Sequence, residues 1–298
     1  MAQALPVIVN GASGGGHSDA SIATVARAFA DAGAAANILR LADPSEAAPM
    51  ARRAADAGHR VVVAAGGDGT VSTVAGALAG TESALGVVPM GTLNHFARDL
   101  KVPIDIAEAA KTIVHGREAR VDVGEVNGRV FVNNSSIGLY PTFVMHRRHQ
   151  ERLGRGRWHA FAWSMLHVAE RYPLLELRLC LGKAVENRRA PLVFVGNNAY
   201  GMEGFHIGRR ERLDAGRLCI YLTQRRTRVG LVGLALRALV GLMRQARDFE
   251  ALTAERLTIA SRRKRLAVST DGEVWIMETP FEYAIRPGAL RVMVPAGD

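Results

Sequence analysis

Three glycines, a carboxylate and a hydroxyl occupy five consecutive positions at Gly66-Gly67-Asp68-Gly69-Thr70. The apolar run Val61-Val62-Val63-Ala64-Ala65 stands directly before them, and Val71 to Leu78 follows with helical character. Small and β-branched apolar residues ending at glycine predict a buried parallel strand, so the turn should lie at the carboxyl end of a sheet. Open α/β sheets take their ligands at that edge. Lacking Cβ atoms, Gly66, Gly67 and Gly69 let backbone N–H groups come close to an anion beside the N-terminus of the next helix. That chemistry suits phosphate. Asp68 would repel phosphate oxygens unless a cation lay between or the carboxylate handled a proton. The alternative is an ordinary strand-to-helix turn that Asp68 caps.

Two more turns share this character. Asn10-Gly11-Ala12-Ser13-Gly14-Gly15-Gly16 follows the strand-like Leu5 to Val9, and Pro89-Met90-Gly91-Thr92-Leu93-Asn94 follows Leu85 to Val88. In a parallel sheet the three turns converge on one rim, which favours a nucleotide pocket. Thr92 and Asn94 can donate to phosphate or ribose, although Thr92 would also serve as a helix cap. Far along the chain, Asp271-Gly272-Glu273 sits between runs ending at Ser269 and starting at Val274. As bare sequence it reads as a turn with a solvated glutamate. Asp122, one acid in a strand that opens a hairpin, reads as an exposed-face residue.

The elements that must position these groups fall into two grammars. Up to His115, strands expected at 5–9, 36–41, 60–65 and 85–88 alternate with helices at 19–32, 45–57, 71–78 and 107–115, with Ser45 as a cap and Gly33 as a stop. This predicts a parallel sheet between helices. From about residue 121, strands dominate: 119–126 and 129–135 around Asn127-Gly128, then 174–181, 191–195, 217–222, 256–260, 265–269, 274–277, 281–285 and 290–294. Apolar helices are expected at 155–171 and 229–247. The expected fold is therefore an α/β Rossmann-like nucleotide domain over 1–120, followed by a mainly antiparallel β-rich domain over 121–298.

Composition narrows the classes. The 298 residues are 48% hydrophobic, enough for sizeable cores. Lys and Arg total 38 against 28 acids, for a net charge of +10, which favours anionic partners. The excess gathers at Arg147-Arg148, Arg152 to Arg157, Arg225 to Arg228 and Arg262-Arg263-Lys264-Arg265. Cys180 and Cys219 lie in apolar runs and read as buried reduced thiols. No signal peptide is expected at the N-terminus, and Val229 to Met243, short and broken by Arg237, is not expected to cross a membrane.

Together these motifs resemble the diacylglycerol kinase catalytic domain family of bacterial lipid kinases, related to sphingosine kinases. Asn10 to Gly14 is similar to that family's Asn-Pro-x-Ser-Gly turn with Gly11 in place of proline; Gly66 to Thr70 is its GGDGT signature. Gly91-Thr92-Leu93-Asn94 with Phe96-Ala97-Arg98 resembles a further motif, with His95 replacing an acid. Val121-Asp122-Val123-Gly124, Ser136-Ile137-Gly138, Asp271-Gly272-Glu273 and Pro287-Gly288-Ala289-Leu290 continue the match. GGDGT is shared with NAD kinases and phosphofructokinases, and the late motifs make the match more specific.

The resemblance implies an NAD kinase-like β-sandwich as the second domain, with the last strand able to return to the first. It implies ATP and Mg²⁺ as requirements and a lipid hydroxyl as acceptor. Glu273 would be the catalytic base, with Asp271 and Asp68 also catalytic. Asn10, Ser13, Gly14, Gly66, Gly67, Asp68, Gly69, Thr70, Ser72, Gly91, Thr92 and Asn94 would bind the nucleotide. Where the family places Asp-Gly at a structural Mg²⁺ loop, this chain has Asp214-Ala215-Gly216, so no metal ligand is carried over. The implied partner is a lipid at the inner face of the membrane, met peripherally from the cytoplasm; nucleic acid is not expected, and a homodimer is left open. The alternatives are a kinase of a soluble acceptor such as NAD, or a non-catalytic relative that binds acidic lipid or nucleic acid.

Overall fold

The computed structural model describes residues 3–10, 19–142, 144–145, 174–182, 184–201, 210–223 and 249–297. Ser13 and Gly14, the helices expected at 155–171 and 229–247, and the arginine clusters at 147–157 and 225–228 lie outside the described residues. The chain forms two compact units. One comprises Met1–Val123, Leu213–Ala215 and Arg286–Asp298; the other comprises Gly124–Arg212 and Gly216–Ile285.

In the first unit, strands β1 (Leu5–Asn10), β2 (Ala36–Leu41), β3 (Val61–Gly66) and β4 (Ala84–Pro89) alternate with helices α1 (Asp19–Asp31), α2 (Ala47–Asp56) and α3 (Asp68–Leu78). Two more helices follow, α4 (His95–Asp99) and α5 (Ile106–His115). The strands pair in parallel in the order β2-β1-β3-β4. Val7, Val9, Val63, Ala65 and Val88 of the sheet pack with Val25 and Phe29 of α1 and Ile113 of α5 in one buried cluster. Strands β1, β3 and β4 are buried on both faces and need no alternation, which is why they read as apolar runs, whereas β2 at the edge carries Asn37 and Arg40.

Helix α2 starts later than its sequence suggests. Pro44–Glu46 forms a 3-10 turn capped by Asp43, whose carboxylate accepts the Ser45 N–H while Glu46 reaches back to the Asp43 N–H. Asp43, not Ser45, is therefore the cap, and the reciprocal pair is a capping box.

In the second unit the strands are short and antiparallel. The end of β5 (Arg117–Val126) pairs with β6 (Arg129–Phe131). One sheet takes β7 (Asn134–Gly138), β10 (Leu192–Asn197), β11 (Leu218–Thr223), β12 (Phe249–Ala254), β14 (Arg265–Thr270) and β15 (Glu273–Glu278), in the order β12-β11-β10-β7-β14-β15. The second layer runs from β9 (Ala184–Ala190) through β8 (Leu175–Leu181) and β13 (Arg256–Ser261) to the start of β16 (Phe281–Val294). Ile137, Val195, Ile220 and Val268 of the first layer share one core with Leu179, Ile259 and Phe281 of the second. That is a β-sandwich.

Three departures from the sequence reading have physical causes. The expected strand 129–135 is two strands, because the chain leaves the ladder after Phe131 and re-pairs from Asn134. Strands β9 and β12 were not expected: each lies at a sheet edge with a single partner, so neither needs an apolar face. The expected pair 281–285 and 290–294 is one strand, β16, whose later residues Arg291 and Val292 pair in parallel with Ala84 and Leu85 of the first unit.

Candidate functional site

The turns that follow β3 and β4 come together, with Asn10 at the end of β1 beside them. Asn10, the last residue of β1 and buried, donates from Nδ2 to Thr70 Oγ1 at 3.2 Å. Thr70 in turn packs where a side chain at Gly66 would sit, 2.9 Å from an added Cβ. Gly67 faces Gly91 so closely that a Cβ on Gly91 would lie 2.6 Å from the Gly67 Cα. Asn94 fixes the third turn: its Oδ1 accepts the Gly91 N–H at 2.9 Å and its Nδ2 donates to the Gly91 carbonyl at 2.8 Å. It does so from a left-handed backbone, φ 51°, tolerable for asparagine.

Gly67 is the N-cap of α3, and Asp68 is its first helical residue. The first helical bond runs from the Val71 N–H to the Gly67 carbonyl, so the N–H groups of Asp68, Gly69 and Thr70 have no acceptor within the helix. These donors, the positive end of the helix and two Cβ-free turns make a ready anion cradle. The Ser72 hydroxyl, one turn on, is enclosed and has no partner among the described residues. Asp68 is half-buried, and Gly69 and Thr92 are exposed. Thr92 caps no helix, since α4 begins after Asn94. Asn10, Gly66, Gly67, Thr70, Gly91 and Asn94 are thus brought into contact.

The late acids belong to the second unit. Asp271 and Gly272 form a two-residue turn from β14 to β15 with positive φ at both, 49° and 84°, and Thr270 pairs with Glu273 across it. This is the type I′ geometry that a right-twisted hairpin favours. The turn reading of Asp271-Gly272 therefore holds, yet the carboxylate does more than close it. Asp271 Oδ2 accepts the Val132 N–H at 2.8 Å, and Oδ1 accepts the N–H groups of Asn133 at 2.8 Å and Asn134 at 3.0 Å. Glu273, the first residue of β15, is half-buried. Beside it, the Arg129 guanidinium stacks 3.4 Å from the centre of the Trp275 ring. Burial lowers the proton affinity of Arg129 below that of an ordinary guanidinium, and the charge of Glu273 partly restores it.

Asn133, Asn134, Asn197 and Arg210, which hold this turn from behind, were not singled out from the sequence. The available signal was Asn133-Asn134 itself, two strand-averse amides inside an expected strand. Asp122 is buried rather than exposed; its Oδ1 accepts the Gly288 N–H at 2.8 Å and its own N–H donates to the Leu213 carbonyl at 2.8 Å. Among the described residues no group of three or more His, Cys, Asp or Glu side chains gathers as a metal site, around Asp214 and Ala215 or elsewhere. Mg²⁺ needs only one or two carboxylates when phosphate and water supply the rest, so Asp68 beside the cradle fits that ion. Cys180 and Cys219 are free thiols, as expected; Cys219 is buried, whereas Cys180 is only partly so.

Comparisons with known proteins agree with this architecture. The diacylglycerol kinase catalytic domain model matches residues 4–126. The YegS C-terminal NAD kinase β-sandwich-like domain model matches residues 142–294. A probable lipid kinase YegS-like protein of Cronobacter sakazakii is 41% identical over 106 residues, 34% of this chain and 36% of that one. A diacylglycerol kinase of Staphylococcus saprophyticus is 40% identical over 95 residues, 31% of each chain. These alignments span about a third of the relatives' length. The crystal structure of a diacylglycerol kinase from Bacillus anthracis superposes with a TM-score of 0.71 at 22% identity, covering 98% of this chain and 96% of that one, a likeness of fold. With one family model on the glycine-turn unit and the other on the sandwich, the chain belongs to the diacylglycerol kinase catalytic domain family, joined to a YegS-type C-terminal domain.

Proposed function

We propose that the chain is an ATP-dependent lipid kinase, moving the γ-phosphate of ATP onto the hydroxyl of diacylglycerol or a related glycerolipid or sphingolipid. The observation that carries this reading is the approach of Gly67 to Gly91 beside the N–H groups at the start of α3 that have no acceptor within the helix. A surface stripped of Cβ atoms and rich in donors suits a polyphosphate chain. Phosphoryl transfer asks a protein mainly for positioning and charge compensation. Asn10, Ser13, Gly14, Gly66 to Thr70, Ser72, Gly91, Thr92 and Asn94 hold the nucleotide. Mg²⁺, when bound, offsets phosphate charge, and Asp68 is the carboxylate that would hold it.

Glu273 takes the proton of the acceptor hydroxyl as its oxygen bonds to the γ-phosphorus and the bond to the bridging oxygen breaks, releasing ADP. A base of this kind contributes about a hundredfold to ten-thousandfold. Asp271 sets the turn that aims Glu273. The acceptor is met at the cytoplasmic face of a membrane: the net charge of +10 favours an anionic surface, and no helix among the described residues is long and apolar enough to cross one.

The test incubates the full chain with labelled ATP, Mg²⁺ and detergent micelles carrying diacylglycerol, phosphatidylglycerol, ceramide or sphingosine. Label should enter one of these lipids. Folded protein that labels none of them, but labels NAD without detergent, would replace the lipid acceptor with a soluble one.

A further inference from the structure

We infer that Arg210 is a positioning residue for the Asp-Gly-Glu turn, acting through the Val132–Asn133 peptide group; this rests on the reading of Glu273 as the base. Arg210 is 5% exposed, an expensive place for a guanidinium unless its donors are used. Nη1 donates to the Val132 carbonyl at 2.6 Å and to the Asn197 carbonyl at 3.1 Å; Nη2 donates to Asn133 Oδ1 at 2.9 Å. The guanidinium also lies 5.3 Å from the centre of the Tyr200 ring.

The carbonyl of Val132 and the N–H of Asn133 belong to one peptide group. Its oxygen accepts from Arg210 while its N–H donates to Asp271 Oδ1 at 2.8 Å. A cation at the oxygen and a carboxylate at the N–H both favour the charge-separated resonance form of the amide, so each bond strengthens the other. A buried cation and a partly buried carboxylate are thus coupled through a peptide. Asn197 reinforces the same loop, donating from Nδ2 to the Val132 carbonyl at 2.9 Å and from its N–H to the Asn133 carbonyl at 2.9 Å. Asp271 and Gly272 hold positive φ values, and Glu273 follows at once, so whatever fixes the Asp271 carboxylate fixes the direction in which Glu273 leaves the turn.

The test compares Arg210→Met and Arg210→Lys in the full chain, alone and combined with Glu273→Gln, with turnover normalised to bound nucleotide. Arg210→Met should lower kcat about thirtyfold or more while KM for ATP stays within about twofold, and Arg210→Lys should recover part of the loss. In the Glu273→Gln background the further loss should be under about twofold, since the base that the turn aims is already gone. Amide exchange at Asn133 and Asn134 should quicken about tenfold or more in Arg210→Lys, leaving Val7 to Val9 of the first unit unchanged. The same loss in both backgrounds, or unaltered exchange at Asn133, overturns the inference. If Arg210→Met fails to fold, Arg210→Lys supplies both readouts. A wild-type chain that phosphorylates nothing removes Glu273 as base, while the exchange result still decides whether Arg210 holds the turn.

Discussion

A methyl group on Gly91 would lie 2.6 Å from the Gly67 Cα and 2.9 Å from Asn94 Oδ1. Backbone on one side and a doubly bonded amide on the other leave no flexible tip to move aside, so Gly91→Ala must part the two turns. We expect ATP affinity to fall about tenfold or more with the thermal midpoint little changed, read by calorimetric titration and melting; unaltered affinity would remove this contact from the nucleotide site. The glycines were legible in the sequence because a missing Cβ is a local property. The caps were less so: Asp68 yielded the N-cap position to Gly67, and Asn94 stands before α4 where Thr92 was a candidate. The duties of Asp271 were not legible at all, because its three N–H partners lie 137 to 139 residues away and are brought to it only by folding.

Strands explain both what the pattern conveyed and what it hid. The parallel strands β1, β3 and β4 announced themselves as apolar runs between helices, whereas β9 and β12 carry charge and polarity because an edge strand has one neighbour. The break between β6 and β7 left only Asn133-Asn134 as its sign within residues 129–135, where the N–H groups of 132 to 134 turn to the Asp271 carboxylate. Pairing of β5 with β6 brings Gly124 opposite Phe131, whose fully buried ring lies 2.2 Å from where a Cβ on Gly124 would stand. Gly124→Ala should therefore cost about 1–3 kcal/mol of stability, seen as a lower denaturant midpoint, and Phe131→Leu in the same chain should recover part of it. A Gly124→Ala chain as stable as the wild type would contradict this packing.

At the scale of the molecule, pH and catalysis offer independent checks. Burial raises the Tyr283 phenol well above its ordinary value, against a smaller opposing effect of the hydrogen bond with Ser135. Burial likewise raises Tyr221 and the Cys219 thiol. All three stay protonated in the folded second unit at pH values where the unfolded chain sheds those protons. Their contribution to stability is complete below the unfolded values of 9.0 for cysteine and 10.0 for tyrosine, and is lost as pH rises beyond them. In reducing buffer the urea midpoint at about pH 10.5 should lie below that at about pH 8, and Tyr283→Phe should flatten the decline; a midpoint that rises would contradict the burial.

The central claim is that the glycine-turn unit holds ATP while Glu273 of the sandwich activates the acceptor. Nucleotide affinity and phosphate transfer to the preferred lipid, measured on one preparation each of wild type and Glu273→Gln, test it most directly. The account predicts ATP affinity within about twofold and transfer reduced about a hundredfold or more. A Glu273→Gln chain that turns over at the wild-type rate would contradict it.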